Sequence, residues 1–88
     1  MILSAELSLY PLRADYVTLI QAFIDKLHSH EGLVISTNAM STQIQGEHDK
    51  VMRAVSETLK ASAASMGEQV LVCKFIPLPL EITKKAAV

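Results

Sequence analysis

Apolar side chains recur at every second position near the N-terminus: Leu3, Ala5, Leu7 and Leu9 alternate with Ser4, Glu6, Ser8 and Tyr10. A period of two puts one set on each face of a strand, an arrangement that a helix cannot produce. The chain therefore opens with a half-buried strand over Ile2 to Tyr10, and something must cover its apolar side. Pro11 ends that strand, because proline has no N–H to give to a sheet ladder.

The period then lengthens to that of a helix. Asp15 is placed to cap a helix running to about Glu31. At 100° per residue, Tyr16, Val17, Ile20, Phe23, Ile24 and Leu27 fall within about 60° of one line. Thr18, Ala22, Asp25 and Ser29 lie opposite. Gly32 stands where a left-handed residue closes such a helix. Leu33 to Thr37 is short and β-branched, a second strand. Asn38 to Met40 turns the chain back, and a third strand follows from about Ser41 to Gln45. Gly46 is read as the junction that stops this strand and starts a helix at once, through its freedom of backbone conformation. Glu47 and Asp49 place negative charge in the first turn, where the exposed amides favour it. That second helix, from about Glu47 to Met66, carries Val51, Met52, Val55, Leu59 and Met66 on one side, and Gly67 ends it. Val70 to Ile76 is the last strand. Pro77 and Pro79 break the pattern, and the residues after them show no period, so a mobile end is expected.

The order β-α-β-β-α-β predicts an α+β, ferredoxin-like sandwich: a four-stranded antiparallel sheet in spatial order 4-1-3-2, with two helices on one face. Residues 1–76 form the domain and residues 77–88 a C-terminal tail. With 88 residues, half of them hydrophobic, the chain has enough material for one modest core. Having two Phe, two Tyr and no Trp, it must build that core from aliphatic side chains.

The sheet's second face is the informative one. If Leu71, Cys73 and Phe75 point at the helices, then Val70, Val72 and Ile76 face away, with only Lys74 polar among them. A strand apolar on both sides is usually buried on both sides. A second subunit packed sheet on sheet, as a symmetric homodimer, is the expected cover. Glu6 lies on this same face and would be partly cut off from water, needing partners or a proton. It either pairs with Lys74 on the neighbouring strand or helps to form a small polar pocket for a ligand amine. Geometry alone favours the ion pair.

Several functions are excluded by what the chain carries. A net charge of −1 and a pI of about 6.3 give no global attraction to nucleic acid or anionic lipid. RNA-binding domains of the same element order stack bases on aromatics of the central strands, and here the third strand offers Gln43 and Gln45. His28 and His30 diverge on their helix and His48 has no cluster around it, so solvated surface histidines are expected rather than a zinc site. Arg13 stands alone without an amide nest, which fits a surface role better than an anion site. No phosphate loop or serine elbow occurs. A single cysteine, Cys73, cannot form an internal disulfide and suits a reduced compartment. No apolar run is long enough to span a bilayer, and the first segment carries Glu6 and lacks a basic start, so neither membrane insertion nor a signal peptide is expected. A cytoplasmic protein is the reading.

Three stretches together, AELSLYPL at 5–12, GLVISTNAMSTQIQGE at 32–47 and VLVCK at 70–74, resemble the thiamine-binding protein family of YkoF-like ferredoxin-like domains. The resemblance runs over nearly the whole chain to Lys74, while the tail from Pro77 departs from it. It implies non-catalytic binding of thiamine or its hydroxymethylpyrimidine moiety near a subunit interface, with no further cofactor. Assembly is then a homodimer or a dimer-of-dimers tetramer through the sheets. It also implies a site made of Glu6, Ser8 and Tyr10 on the first strand and Asn38, Met40, Ser41 and Thr42 at the hairpin. A carboxylate would accept from the exocyclic amine, hydroxyls or an amide would meet the ring nitrogens, and Tyr10 or Met40 would pack on the ring. Without a ligand, the same open sheet would serve as an oligomerising interaction module.

Overall fold

A computed structural model describes residues 1–84. The elements are β1 (Ile2–Pro11), α1 (Tyr16–His28), β2 (Val34–Thr37), β3 (Thr42–Glu47), α2 (His48–Met66) and β4 (Gln69–Ile76). The strands form one sheet in the order β2-β3-β1-β4, which is 4-1-3-2 from the other edge, and every neighbouring pair is antiparallel. The alternation of β1 sets this up. Leu3, Ala5, Leu7 and Leu9 are all buried, and they form one cluster with Phe23 and Leu27 of α1, Ile44 of β3 and Val51 and Val55 of α2. Leu71 and Cys73 of β4 pack against that cluster from the edge. Partial burial pushes the Cys73 thiol pKa above its ordinary value, so Cys73 behaves as a small hydrophobe.

The helices differ from expectation in their ends and faces. α1 stops at His28, short of Glu31, because Ser29 turns back on it: both its backbone N–H and its hydroxyl donate to the Lys26 carbonyl, at 3.1 and 2.6 Å. Asp15 occupies the N-cap position but does not cap. Its carboxylate is taken by Arg13 through two hydrogen bonds of 3.0 Å each. Of the expected α1 stripe, Phe23 and Leu27 are buried and Tyr16 and Val17 are exposed. On α2 the buried line runs through Val51, Ala54, Val55, Thr58, Ser62 and Met66, while Met52 and Leu59 lie on its exposed flank. His30 is not a solvated histidine: its ring bridges the Lys26 carbonyl at 3.1 Å and Glu57 of α2 at 2.9 Å, tying the two helices together.

Gly46 corrects a second expectation. It lies inside β3 with an ordinary φ, and α2 begins only at His48. What requires glycine is proximity: a Cβ there would stand 2.8 Å from the Gly32 carbonyl oxygen and 3.0 Å from Leu33 Cδ2. Gly32, in the link ahead of β2, does have a positive φ, +80, as does Gly67 after α2, at +78.

The far side of the sheet carries Ser4, Glu6, Ser8 and Tyr10 of β1 in register with Ile76, Lys74, Val72 and Val70 of β4. Val70 and Val72 are exposed, the latter by 53%, and Phe75 on the helix side is exposed as well. This far side is not wholly bare. The segment from Pro77 to Ile82 folds back over its lower half, where Ser4 Oγ donates to the Leu78 carbonyl at 2.8 Å and Gln45 Nε2 to the Leu80 carbonyl at 2.7 Å. Ser4 is buried beneath it. The tail expected from sequence to be mobile makes these contacts from Leu78 and Leu80, and its last part, residues 85–88, lies outside the described residues. Among the described residues, no helix is long and apolar enough to cross a membrane.

Candidate functional site

The strands are of unequal reach, and this opens a gap. β1 pairs with β4 as far as Pro11↔Gln69, but its pairing with β3 ends at Leu7↔Thr42. From Ser8 to Pro11, the edge of β1 that faces β3 has no strand beside it, and no described residue hydrogen-bonds there in its place. The β2–β3 turn stands across the gap, and α1 forms its third wall. The result is a partly open cavity of about 400 Å³, within the range of small-molecule sites. Its walls are Leu7 to Pro11 of β1, Tyr16, Ile20, Phe23 and Ile24 of α1, and Thr37 to Thr42 of the hairpin.

Six of the seven residues singled out from sequence border this cavity: Ser8, Tyr10, Asn38, Met40, Ser41 and Thr42. They play unequal parts. Asn38 holds the turn, its Oδ1 accepting the backbone N–H groups of Met40 and Ser41 at 2.8 and 3.1 Å. Met40 stands at the tip, 86% exposed, near the exposed rings of Tyr10 and Tyr16. Thr42 is buried and its hydroxyl lies 3.0 Å from that of Thr37. One bond between two hydroxyls uses one of their two protons, so the pair keeps a proton to donate to a ligand acceptor. The α1 wall was missed from sequence, since Ile20, Phe23 and Ile24 carry only the signature of a core-facing stripe.

Glu6, the seventh, lies in a different hollow. It faces a smaller space of about 180 Å³ bounded by Ser4, Ala5, Gln43, Lys74, Ile76, Leu80 and Ile82. Its two oxygens are both occupied. Lys74 Nζ lies 3.1 Å from Oε1, and Ser41 Oγ donates to Oε2 at 2.9 Å. Gln43 Nε2 in turn donates to Ser41 Oγ at 2.7 Å. The Ser41 hydrogen bond first, and the Lys74 ammonium second, hold the Glu6 carboxyl below its ordinary pKa. The carboxylate is thus charged and satisfied rather than protonated, with its side chain 40% exposed. Ser41 connects the two hollows, bordering the larger while bonded to the carboxylate of the smaller.

Nothing in this arrangement supplies a metal centre: among the described residues, no three His, Cys, Asp or Glu side chains gather. The cavity wall offers hydroxyls, one carboxamide, aromatic rings and free backbone groups. Such a set can orient a flat, uncharged heterocycle by hydrogen bonds and stack on its face.

Comparison with known proteins agrees with this frame. A protein from Streptococcus pneumoniae superposes with a TM-score of 0.79 at 24% identity, over 86% of each chain. A protein from Methanocaldococcus jannascii does so with 0.77 at 24%, covering 89% of this chain and 81% of its own. A Thermotoga maritima protein, described as a candidate for thiamine biosynthesis or salvage, gives 0.76 at 19%, covering 85% and 82%. Identities this low carry the fold alone. No curated protein matches the chain. The sequence profile of the YKOF-related family matches residues 2–77, from the first residue of β1 to just past the last of β4, and the chain belongs to that family.

Proposed function

We propose that this protein binds, without catalysis, the aminopyrimidine ring of thiamine or hydroxymethylpyrimidine in the cavity beside β1. The ferredoxin-like frame would act in the cytoplasm as a homo-oligomer. The observation that carries this reading is the unpaired edge of Ser8 to Pro11 inside a cavity of ligand size. A 4-aminopyrimidine has an N–H donor next to a ring-nitrogen acceptor, the same pair of groups that a neighbouring strand would offer. Backbone carbonyl and amide groups on a free strand edge are therefore suited to it, as in strand addition. The spare proton of the Thr37–Thr42 pair would serve a second ring nitrogen. Tyr10 or Met40 would cover the ring face, Ser8 and Ser41 would line the rim, and Asn38 would keep the turn in shape. Glu6 contributes through Ser41, whose hydroxyl it fixes. Membership of the YKOF-related family and the thiamine-related description of a fold neighbour point the same way. The cavity wall carries hydroxyls, phenols and one carboxamide, groups that orient a ligand by hydrogen bonds.

Calorimetry and thermal melting with hydroxymethylpyrimidine and thiamine test the reading. The expected result is measurable heat and a raised melting temperature, since a ligand that binds only the folded state stabilises it by mass action. Both should be diminished in Ser41→Ala and Thr42→Val. Absence of heat and of a melting shift at millimolar ligand leaves the second reading, an interaction module that only self-associates. The exposed Val70, Val72 and Tyr10 on the far side of the sheet favour self-association under either reading.

A further inference from the structure

The cavity wall is uncharged. None of Leu7 to Pro11, Tyr16, Ile20, Phe23, Ile24 or Thr37 to Thr42 is acidic or basic. The charges that flank the β1 wall in sequence, Glu6 and Arg13, are already matched. Arg13, in the loop between Pro11 and α1, is held by Asp15 through both Nε and Nη2. Lys74, on the other side of the sheet, is held by Glu6. At the N-terminus of α1 the Asp15 carboxylate makes no bond to the helix amides and is paired with Arg13, so no net side-chain charge gathers there.

We infer that the site accepts the unphosphorylated pyrimidine and rejects its phosphate esters. This rests on the binding reading above and narrows it. A phosphate monoester carries a charge of about −1.5 to −2 at neutral pH and needs donors or cations in proportion. Inside this cavity it would meet hydroxyls and apolar walls, and lose its hydration without a compensating cation. Arg13, two residues beyond the β1 wall, would have to leave a bidentate partner before meeting the ester, and bidentate Arg–carboxylate pairs are the strong ones. The hydroxymethyl group itself fits the same hydroxyl-lined wall, so the discrimination falls on the phosphate and not on the ring.

Isothermal titration of the full chain with hydroxymethylpyrimidine and with its monophosphate, in the same buffer, tests this. The ester should bind at least about 100-fold more weakly, and millimolar inorganic phosphate should not displace the free alcohol. Ala39→Lys, which places an ammonium at the exposed hairpin wall, should narrow the ratio of the two affinities by at least about tenfold. Equal or tighter binding of the ester by the unaltered chain overturns the inference and leaves the binding reading standing. A ratio unmoved by Ala39→Lys overturns the charge argument behind it. If neither compound binds, the binding reading itself fails and this inference goes with it.

Discussion

Replacing Gly46 by alanine tests how tightly the hairpin that carries the candidate site is fitted. The substitution is usually helpful where the backbone allows it. Gly46 has an ordinary φ, so alanine should gain about 0.4–1 kcal/mol by restricting the unfolded chain. Against this stands the contact: the new Cβ meets the Gly32 carbonyl oxygen at 2.8 Å and Leu33 Cδ2 at 3.0 Å. The leucine methyl can rotate away. The carbonyl cannot, because it belongs to the backbone just ahead of β2, which is paired to β3 from Val34↔Gln45 to Thr37↔Thr42. Relief therefore means moving the start of β2 by a few tenths of an ångström, a form of overpacking that costs about 1–3 kcal/mol. The cost exceeds the gain, for a net loss of about 1–2 kcal/mol. In a domain of this size that corresponds to a fall in Tm of roughly 5–15 °C. Differential scanning calorimetry of the two chains at equal concentration reads it directly. An unchanged or raised Tm for Gly46→Ala would show that β2 yields freely, and the argument from proximity would be wrong.

Three further expectations concern other parts of the molecule. Thr58 is wholly buried in α2 and its hydroxyl has no hydrogen-bond partner among the described residues; Thr58→Val should raise stability by about 1–2 kcal/mol, seen as a higher denaturant midpoint with an unchanged slope, and a lower midpoint would show that the hydroxyl is satisfied. The Glu6 carboxyl titrates below its ordinary value of 4.5, so its contribution to stability is complete above the unfolded value and is lost as pH falls through the lower folded one. A carbon-detected NMR titration should place its midpoint below 4.5, and Ser41→Ala should move it upward; a midpoint insensitive to Ser41→Ala would deny the hydroxyl its role. Val72→Asp should dissociate any assembly formed through the far side of the sheet while leaving the fold intact, because Val72 is 53% exposed in the single chain; an unchanged sedimentation mass would place the subunit contact elsewhere.

The element order was legible because the chain changes period cleanly, from two to 3.6 and back, at Pro11 and Gly32 and again at Glu47 and Gly67. The faces of α2 were less so. Hydropathy ranks Met52 and Leu59 above Thr58 and Ser62, yet the helix turns the two polar residues inward, where Ser62 donates to Gln69 at 2.6 Å. The ion pair of Glu6 with Lys74 follows from strand order and alternation alone. Its second partner, Ser41, comes from the hairpin, and only the closed turn at Asn38 brings it there. The fold-back of Pro77 to Ile82 left no trace in the sequence, because its anchors accept through backbone carbonyls, and every residue has one. The cavity was hidden for a related reason. It arises from β1 outlasting β3, a difference of strand lengths that composition does not record.

That returning segment has a consequence for how copies of this chain could meet. Two sheets stacked face to face sit about 10 Å apart, a gap filled by one layer of side chains from each. A length of backbone lying across Ser4 and Gln45 already fills part of that gap. A second molecule cannot lie flush on the whole surface while residues 77–82 stay where they are. It must sit off-centre over Tyr10, Val70 and Val72, or those residues must first lift away.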